Sequence, residues 1–277
     1  MGVLTETAYA KLNLALNVRR KRADGYHEIE TLFAFSEDGD VLTAEAADDI
    51  SLTIDGPFAE GLATDDGNLV IRAAKAMQAA AGVSQGARLH LTKNLPIASG
   101  IGGGSADAAA ALRVLSGLWS VEKDMSAIAL ALGADVPACL LSRTSRGDGV
   151  GERLTKLGDG LTGAPVLLVN PRIALSTAAI FKAWDGVDRG ALAHGNGLLK
   201  IAQSARNDLT APATTLAPVI ADVLTALEAQ SGTTLVRMSG SGATCFALFE
   251  SMAARDAAHA SITEAHPDWW TMASALR

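Results

Sequence analysis

A chain of 277 residues is long enough to bury a substantial core and to form one large or two modest domains. Nearly half of it is apolar, only 4% is aromatic, and Asp and Glu outnumber Lys and Arg to give a formal charge of −7. General binding to nucleic acid or anionic membrane needs a concentrated basic face, so neither is expected as a partner; a local basic pocket stays open.

Met1-Gly-Val-Leu-Thr-Glu6 shows no basic stretch followed by an apolar one, and Glu6 stands where a myristoylation pattern wants Ser or Thr. No apolar run reaches bilayer length, so the expectation is a soluble, cytoplasmic protein. Thr7–Val18 partly alternates apolar and polar residues and predicts a strand. Val41–Glu45 and Ile50–Ile54, split by Ala-Ala-Asp-Asp, predict a hairpin. Asn68–Ala81 has helical spacing, with Asn68 as N-cap and Gly82 as stop. Gly86–Leu95 reads as a strand running into Pro96. Helices are predicted over Ser105–Trp119 and Met125–Leu132, the second stopped by Gly133.

The Gly- and Arg-rich Ser142–Glu152 reads as a loop, and residues 145–160 mark the expected boundary between domains at 1–150 and 151–277. Beyond it, Ala164–Val169 reads as a strand and Thr177–Trp184, Ala191–Ala202, Thr215–Gln230 and Met252–Ala265 as helices. Strands Thr234–Met238 and Thr244–Glu250 flank the tight Ser239-Gly-Ser-Gly242 turn. Mixed strands, helices and hairpins indicate an α+β protein. Cys139 and Cys245 lie in apolar runs with no metal-ligand spacing, and read as buried free thiols.

The chemistry concentrates in Pro96–Ala109, where Gly100, Gly102, Gly103 and Gly104 run directly into a helix. Consecutive glycines let backbone N–H groups converge on an anion, and a helix N-terminus adds its positive end. Ser105 is placed to bind a phosphate oxygen or a magnesium ion, or to cap the helix. No lysine follows the glycines, which excludes a Walker loop, and the dinucleotide fingerprint is only approximated. The reading is an ATP phosphate loop.

This loop resembles the central motif of the GHMP kinases. Ala8-Tyr-Ala-Lys-Leu-Asn-Leu14 is similar to that family's N-terminal motif, and Met238-Ser-Gly-Ser-Gly-Ala-Thr-Cys-Phe-Ala-Leu248 to its C-terminal one. The resemblance implies an α+β, two-domain GHMP kinase fold: an N-terminal domain like ribosomal protein S5 with a left-handed crossover, then a ferredoxin-like C-terminal domain. Lys11-Leu-Asn13, Asp24-Gly-Tyr-His-Glu28, Gly133-Ala-Asp-Val-Pro137, Asn170-Pro171, Thr177 and Phe181 resemble a narrower branch. That branch phosphorylates the 2-hydroxyl of a cytidine diphosphate-linked methylerythritol in non-mevalonate isoprenoid precursor biosynthesis.

The resemblance implies Asp135 as base and Lys11 as its cationic assistant, orienting the hydroxyl or the transferred phosphate. A lysine inside an apolar strand is costly without a partner, which supports a functional Lys11. The ATP side would take Asn68, Lys93, Pro96, Gly100, Gly102, Gly103, Gly104 and Ser105. Asn68 also reads as a plain cap and Lys93 as a solvated charge. The small-molecule side would take Asn13, Tyr26, His27, Thr177 and Phe181, with Tyr26 and Phe181 stacking on cytosine and His27 bonding its polar edge. Asn13 would fix either the substrate or Lys11. The Arg19–Arg22 run reads as a solvated hairpin tip ahead of a diphosphate site. Ala106 departs from the family's second serine. ATP chemistry implies Mg²⁺, with no acidic residue assigned to it.

Overall fold

The structure is a computed structural model that describes residues 2–195 and 197–277. In chain order the first part comprises β1 (Leu4–Lys21), β2 (His27–Ala47), β3 (Ser51–Asp55), α1 (Leu69–Ala81), β4 (Gly86–Thr92), α2 (Gly103–Leu118), α3 (Ser126–Leu132) and α4 (Val136–Leu141). It continues with β5 (Ser145–Gly149), β6 (Arg153–Lys156), β7 (Pro165–Asn170), α5 (Thr177–Lys182), α6 (Leu198–Ser204) and α7 (Thr210–Leu216). The chain finishes with α8 (Val219–Glu228), β8 (Thr233–Met238), β9 (Cys245–Phe249), α9 (Met252–Ala265) and β10 (Trp270–Ala275).

These elements form two compact units that interleave along the sequence. One takes Met1–Ala10, Asp38–Ile97 and Gly102–Ser142; the other takes Lys11–Glu37, Ala98–Ile101 and Arg143–Arg277. The long strands β1 and β2 therefore pass through both.

In the first unit the later part of β2 pairs antiparallel with β4, from Val41 opposite Thr92 to Ala47 opposite Gly86. β3 pairs with the far side of β4 in parallel, Ser51 opposite Arg88. The expected hairpin between Val41–Glu45 and Ile50–Ile54 is thus corrected: β4 lies between the two strands. A short polar link between alternating segments resembles a hairpin turn locally, and only the long-range pairing with β4 decides otherwise.

Asn68 caps α1 through its side chain, accepting from Val70 N at 2.9 Å, and Gly82 ends the helix at φ 66°. Against α1 packs α2, whose Ala106–Leu112 stretch is buried throughout. Small side chains let the two helices approach closely. α2 starts at Gly103 after a left-handed Gly102, so Ser105 lies inside the first turn and is not the cap. Ala106 N to Gly102 O, at 2.8 Å, is the bond that opens the helical ladder.

The second unit holds the early part of β2 against β5, Ile29 opposite Gly149 and Phe33 opposite Ser145, with β6 beyond. The expected Ser142–Glu152 loop therefore holds the strand β5, Ser145–Gly149, at its centre. Its glycines escape a propensity reading because Gly147 fits where a Cβ would meet the Phe33 ring at 2.6 Å. A four-stranded antiparallel sheet runs β10-β7-β9-β8, the last-first-third-second order of a ferredoxin-like domain.

Its core gathers Leu167, Val169, Ile220, Val223, Leu227, Ala247, Phe249 and Ile262. Pro218 separates α7 from α8, correcting the single helix expected over Thr215–Gln230. The helix expected at Ala191–Ala202 begins only at Leu198, and Asn196 within that span lies outside the described residues. Cys139 and Cys245 are both buried, and neither forms a disulfide among the described residues. Among the described residues no helix is long and apolar enough to cross a membrane.

Replacing Asn68 with alanine removes the cap of α1. The expected result is a loss of about 1 kcal/mol in unfolding free energy, read from urea denaturation with an unchanged m-value.

Candidate active site

In the first unit, the amides of Gly103, Gly104 and Ser105 precede the helical ladder of α2, and no side chain caps that end. Such amides, at the positive end of a 16-residue helix, suit an anion. Pro96 is buried at the loop's start, whereas Gly104 is exposed. Asp135 takes the N-cap position of α4, where its carboxylate makes no capping bond. It stands in the turn between α3 and α4, and α4 is too short to leave a periodic signal in the sequence. Asn68 uses both ends of its amide locally, donating to Ala63 O at 2.8 Å while capping α1.

Lys93 is not a solvated charge. It is 3% exposed, and its Nζ donates to Asp40 Oδ2 at 2.5 Å and Asp107 Oδ2 at 2.6 Å. Burial opposes its charge, but the carboxylates of Asp107 and Asp40 outweigh that and hold its pKa above the ordinary lysine value. Removing one partner of a buried ion pair costs about 3–5 kcal/mol, so these three residues stand or fall together.

In the second unit a chain of hydrogen bonds runs through both ends of Asn13. Lys11, 3% exposed, donates from Nζ to Asn13 Oδ1 at 2.9 Å, and Asn13 Nδ2 donates to Thr31 Oγ1 at 2.8 Å. Of the two roles open to Asn13, the contact with Lys11 is present. The Ser239 hydroxyl accepts from Asn13 N at 3.1 Å and donates to Gly100 O at 3.0 Å. Gly100 has φ 78°, and a Cβ there would meet Ser239 O at 2.4 Å. A glycine is therefore required at this crossing. Asn207 secures the same turn, donating to Met238 O and Gly240 O at 2.8 Å each.

Thr177 Oγ1 and Ser241 Oγ share a hydrogen bond of 2.9 Å. The ring stacked on Phe181 is that of His27, with centroids 4.9 Å apart, and Trp184 meets His27 edge-on at 5.7 Å. Tyr26 is 62% exposed. Burial, helped by the charge of Lys21, lowers the His27 pKa, so its imidazole is neutral at physiological pH. Arg19, Arg20 and Arg22 are paired with Asp188 and Glu30, Glu28, and Asp24 respectively. Arg20 and Arg22 border an open cleft of about 520 Å³ that Lys21 and Arg153 also line.

Residues 68–143 match the GHMP kinases N terminal domain, and residues 191–268 match the GHMP kinases C terminal domain. A protein of Rhizorhabdus wittichii named 4-diphosphocytidyl-2-C-methyl-D-erythritol kinase is 56% identical over 99% of this chain and 94% of its own length. The chain belongs to the GHMP kinase family.

A second GHMP kinase of the same name, from Novosphingobium aromaticivorans, is 51% identical over 99% of this chain and 93% of its own. A crystal structure of a 4-(cytidine 5'-diphospho)-2C-methyl-D-erythritol kinase superposes with a TM-score of 0.81 at 36% identity, covering 99% of each chain. Homoserine kinase from Cytophaga hutchinsonii shares the fold, with a TM-score of 0.71 at 15% identity over 100% of this chain and 95% of its own. The two-domain fold expected from the motifs is therefore the one present, and GHMP kinase membership makes ATP the phosphoryl donor.

Asp40 and Asn207 escape a motif reading of this GHMP kinase, and Asp107 and Ser239 lie within its motifs without an assigned role, because each acts on another segment of the chain. One signal was available: Asp107 falls among six buried alanines and leucines of α2, where an acid demands a partner. Burial raises the Asp107 carboxyl to about 7, with Lys93 opposing and Asp40 reinforcing the shift.

The folded protein holds this proton more tightly than the unfolded chain does. The resulting stabilisation is complete below about 3.8 and is lost as pH rises through about 7. We expect the urea midpoint to fall between pH 5 and pH 8, and Asp107→Asn to flatten that dependence; an unchanged slope in the variant would assign the titration elsewhere.

Proposed function

We propose that this chain transfers the γ-phosphoryl group of ATP to the 2-hydroxyl of 4-diphosphocytidyl-2-C-methyl-D-erythritol, a cytoplasmic step of non-mevalonate isoprenoid precursor biosynthesis. The observation that carries the reading is full-length identity of 56% and 51% to two kinases named for that substrate.

On the nucleotide side, Asn68, Pro96, Gly100, Gly102, Gly103, Gly104 and Ser105 form the proposed ATP set, and Lys93 serves it through its buried ion pairs. The uncapped amides at the start of α2 support phosphate binding there. Mg²⁺ takes few protein ligands when nucleotide is present, and the part-exposed Ser105 hydroxyl on the first turn of α2 fits as one oxygen donor. When bound, the ion neutralises charge on the β- and γ-phosphates.

Asp135 is the proposed base. Its carboxylate takes the proton of the attacking hydroxyl as the new O–P bond forms and ADP departs. Lys11 is the proposed cation that orients the hydroxyl or the transferred group, and its bond to Asn13 supports a fixed direction for the ammonium. Asn13, Tyr26, His27, Thr177 and Phe181 are the proposed substrate set. A neutral His27 stacked on Phe181 supports a flat aromatic surface with a polar edge, as a cytosine requires.

Purified protein supplied with MgATP is expected to release ADP with 4-diphosphocytidyl-2-C-methyl-D-erythritol and not with mevalonate or homoserine. Turnover confined to another alcohol would discard the substrate while keeping the kinase. Asp135→Asn is expected to lower kcat by about 10²–10⁴ with ATP affinity little altered; a normal kcat would remove Asp135 as base. His27→Ala is expected to raise KM for the cytidyl substrate far more than KM for ATP, and equal effects would sink its part in base recognition.

A further inference from the structure

Lys93, Asp40 and Asp107 are buried charges that phosphoryl transfer itself does not use, and they meet where the phosphate loop begins and ends. Asp40, on β2, accepts from Asn94 N at 2.6 Å and Leu95 N at 2.8 Å through Oδ1. That carboxylate thereby fixes the backbone turn leading into Pro96. Its other oxygen takes the Lys93 ammonium, which reaches on to Asp107 in the first turns of α2. The ammonium also lies 3.2 Å from where a Cβ on Gly103 would stand. One lysine thus ties the strand before the loop, a neighbouring strand, and the helix after it.

We propose that Lys93, Asp40 and Asp107 are positioning residues that clamp the two ends of the phosphate loop, so that Lys93 governs ATP binding without touching the nucleotide. This rests on the reading of Gly102–Ser105 as the phosphate site. Two observations favour a clamp over a direct contact. The Lys93 side chain is enclosed and already bonded to two carboxylates, and an ammonium offers only three donors. Asp107 Oδ1 is itself buried with no hydrogen-bond partner among the described residues, so release of the ammonium toward a ligand would also take from Asp107 the cation that Oδ2 holds.

The clamp is needed because four glycines in five positions give the loop many conformations, whereas anion binding needs its amides held in one. Other elements packed on α2 offer no substitute partner. α3 carries no ionisable side chain, α4 carries only Cys139, and the Arg72 and Lys75 side chains of α1 are exposed.

The test compares Lys93→Met, Asp107→Asn and the double variant in the full chain, reading kcat, both KM values and amide hydrogen exchange over residues 95–107. Lys93→Met is expected to raise KM for MgATP about tenfold, with kcat and the KM for the cytidyl substrate changing about twofold at most. Asp107→Asn is expected to raise the same KM about threefold, and the double variant to exceed Lys93→Met by little, since both changes open one clamp. Exchange at Leu95 and Ala106, the bonded amides at the two ends of the loop, is expected to quicken in the nucleotide-free protein of each variant.

Additive effects on KM with unaltered exchange would mean that Lys93 meets ATP directly, and would overturn the proposal. So would a general loss of stability with KM for MgATP unchanged, which would make the trio structural only. If Lys93→Met does not fold, Asp107→Asn decides by the same two readouts. Exchange is measured without substrate, so it reads the clamp even if the chain proves to phosphorylate a different alcohol.

Discussion

A helix that starts without a cap is the constraint around which this protein is arranged. The amides of Gly103, Gly104 and Ser105 stand outside the ladder of α2, and each lacks an acceptor within its own helix. Filling that end with a capping side chain would satisfy the amides and abolish the proposed anion site. The chain leaves it open instead, and the neighbouring choices follow. Gly102 supplies the left-handed residue at φ 66°. The buried alanines behind it let α1 pack close. The exposed N-terminus must then be held by interactions remote from the ligand, and the buried Lys93 group provides them.

Local chemistry was the part of the fold that the sequence made legible. Asn68 and Gly82 bracket α1 because capping is decided within a few residues, and the glycine run before α2 marks the loop that leads into that helix. The misreadings share one cause. The segments Val41–Glu45 and Ile50–Ile54 look like a hairpin until β4 enters between them. Ser145–Gly149 reads as a loop until Phe33 shows why glycine sits in that strand. β10, with Trp270 and Met272 only partly buried, carries too weak an alternation to stand out.

The candidate site divides the same way. Lys11 and Asn13 are visible as polar residues within an apolar strand, and the hydrogen bond between them could be anticipated from their spacing. Lys93 was visible as a residue but not as a buried one, because its carboxylates come from positions 53 residues before and 14 residues after it. Phe181 was expected as a stacking face, while the ring found on it is His27. Motif order identifies the family; it carries no information on which side chains a distant loop will bury.

The interleaving of the two units bears on how the chain is made. Asn13 leaves the ribosome early, yet its backbone amide bonds to Ser239, 226 residues later, and Leu16 bridges to Asn207. At about 5–20 residues per second, roughly 10–45 s separate the synthesis of these partners. Through that interval the apolar stretch from Leu12 to Val18 has no access to the C-terminal residues that finally cover it. Neither unit can be released as a contiguous fragment, since each borrows segments from across the chain. The strand that carries Asn13 and Leu16 can therefore complete its pairing only after Asn207 and Ser239 have been made.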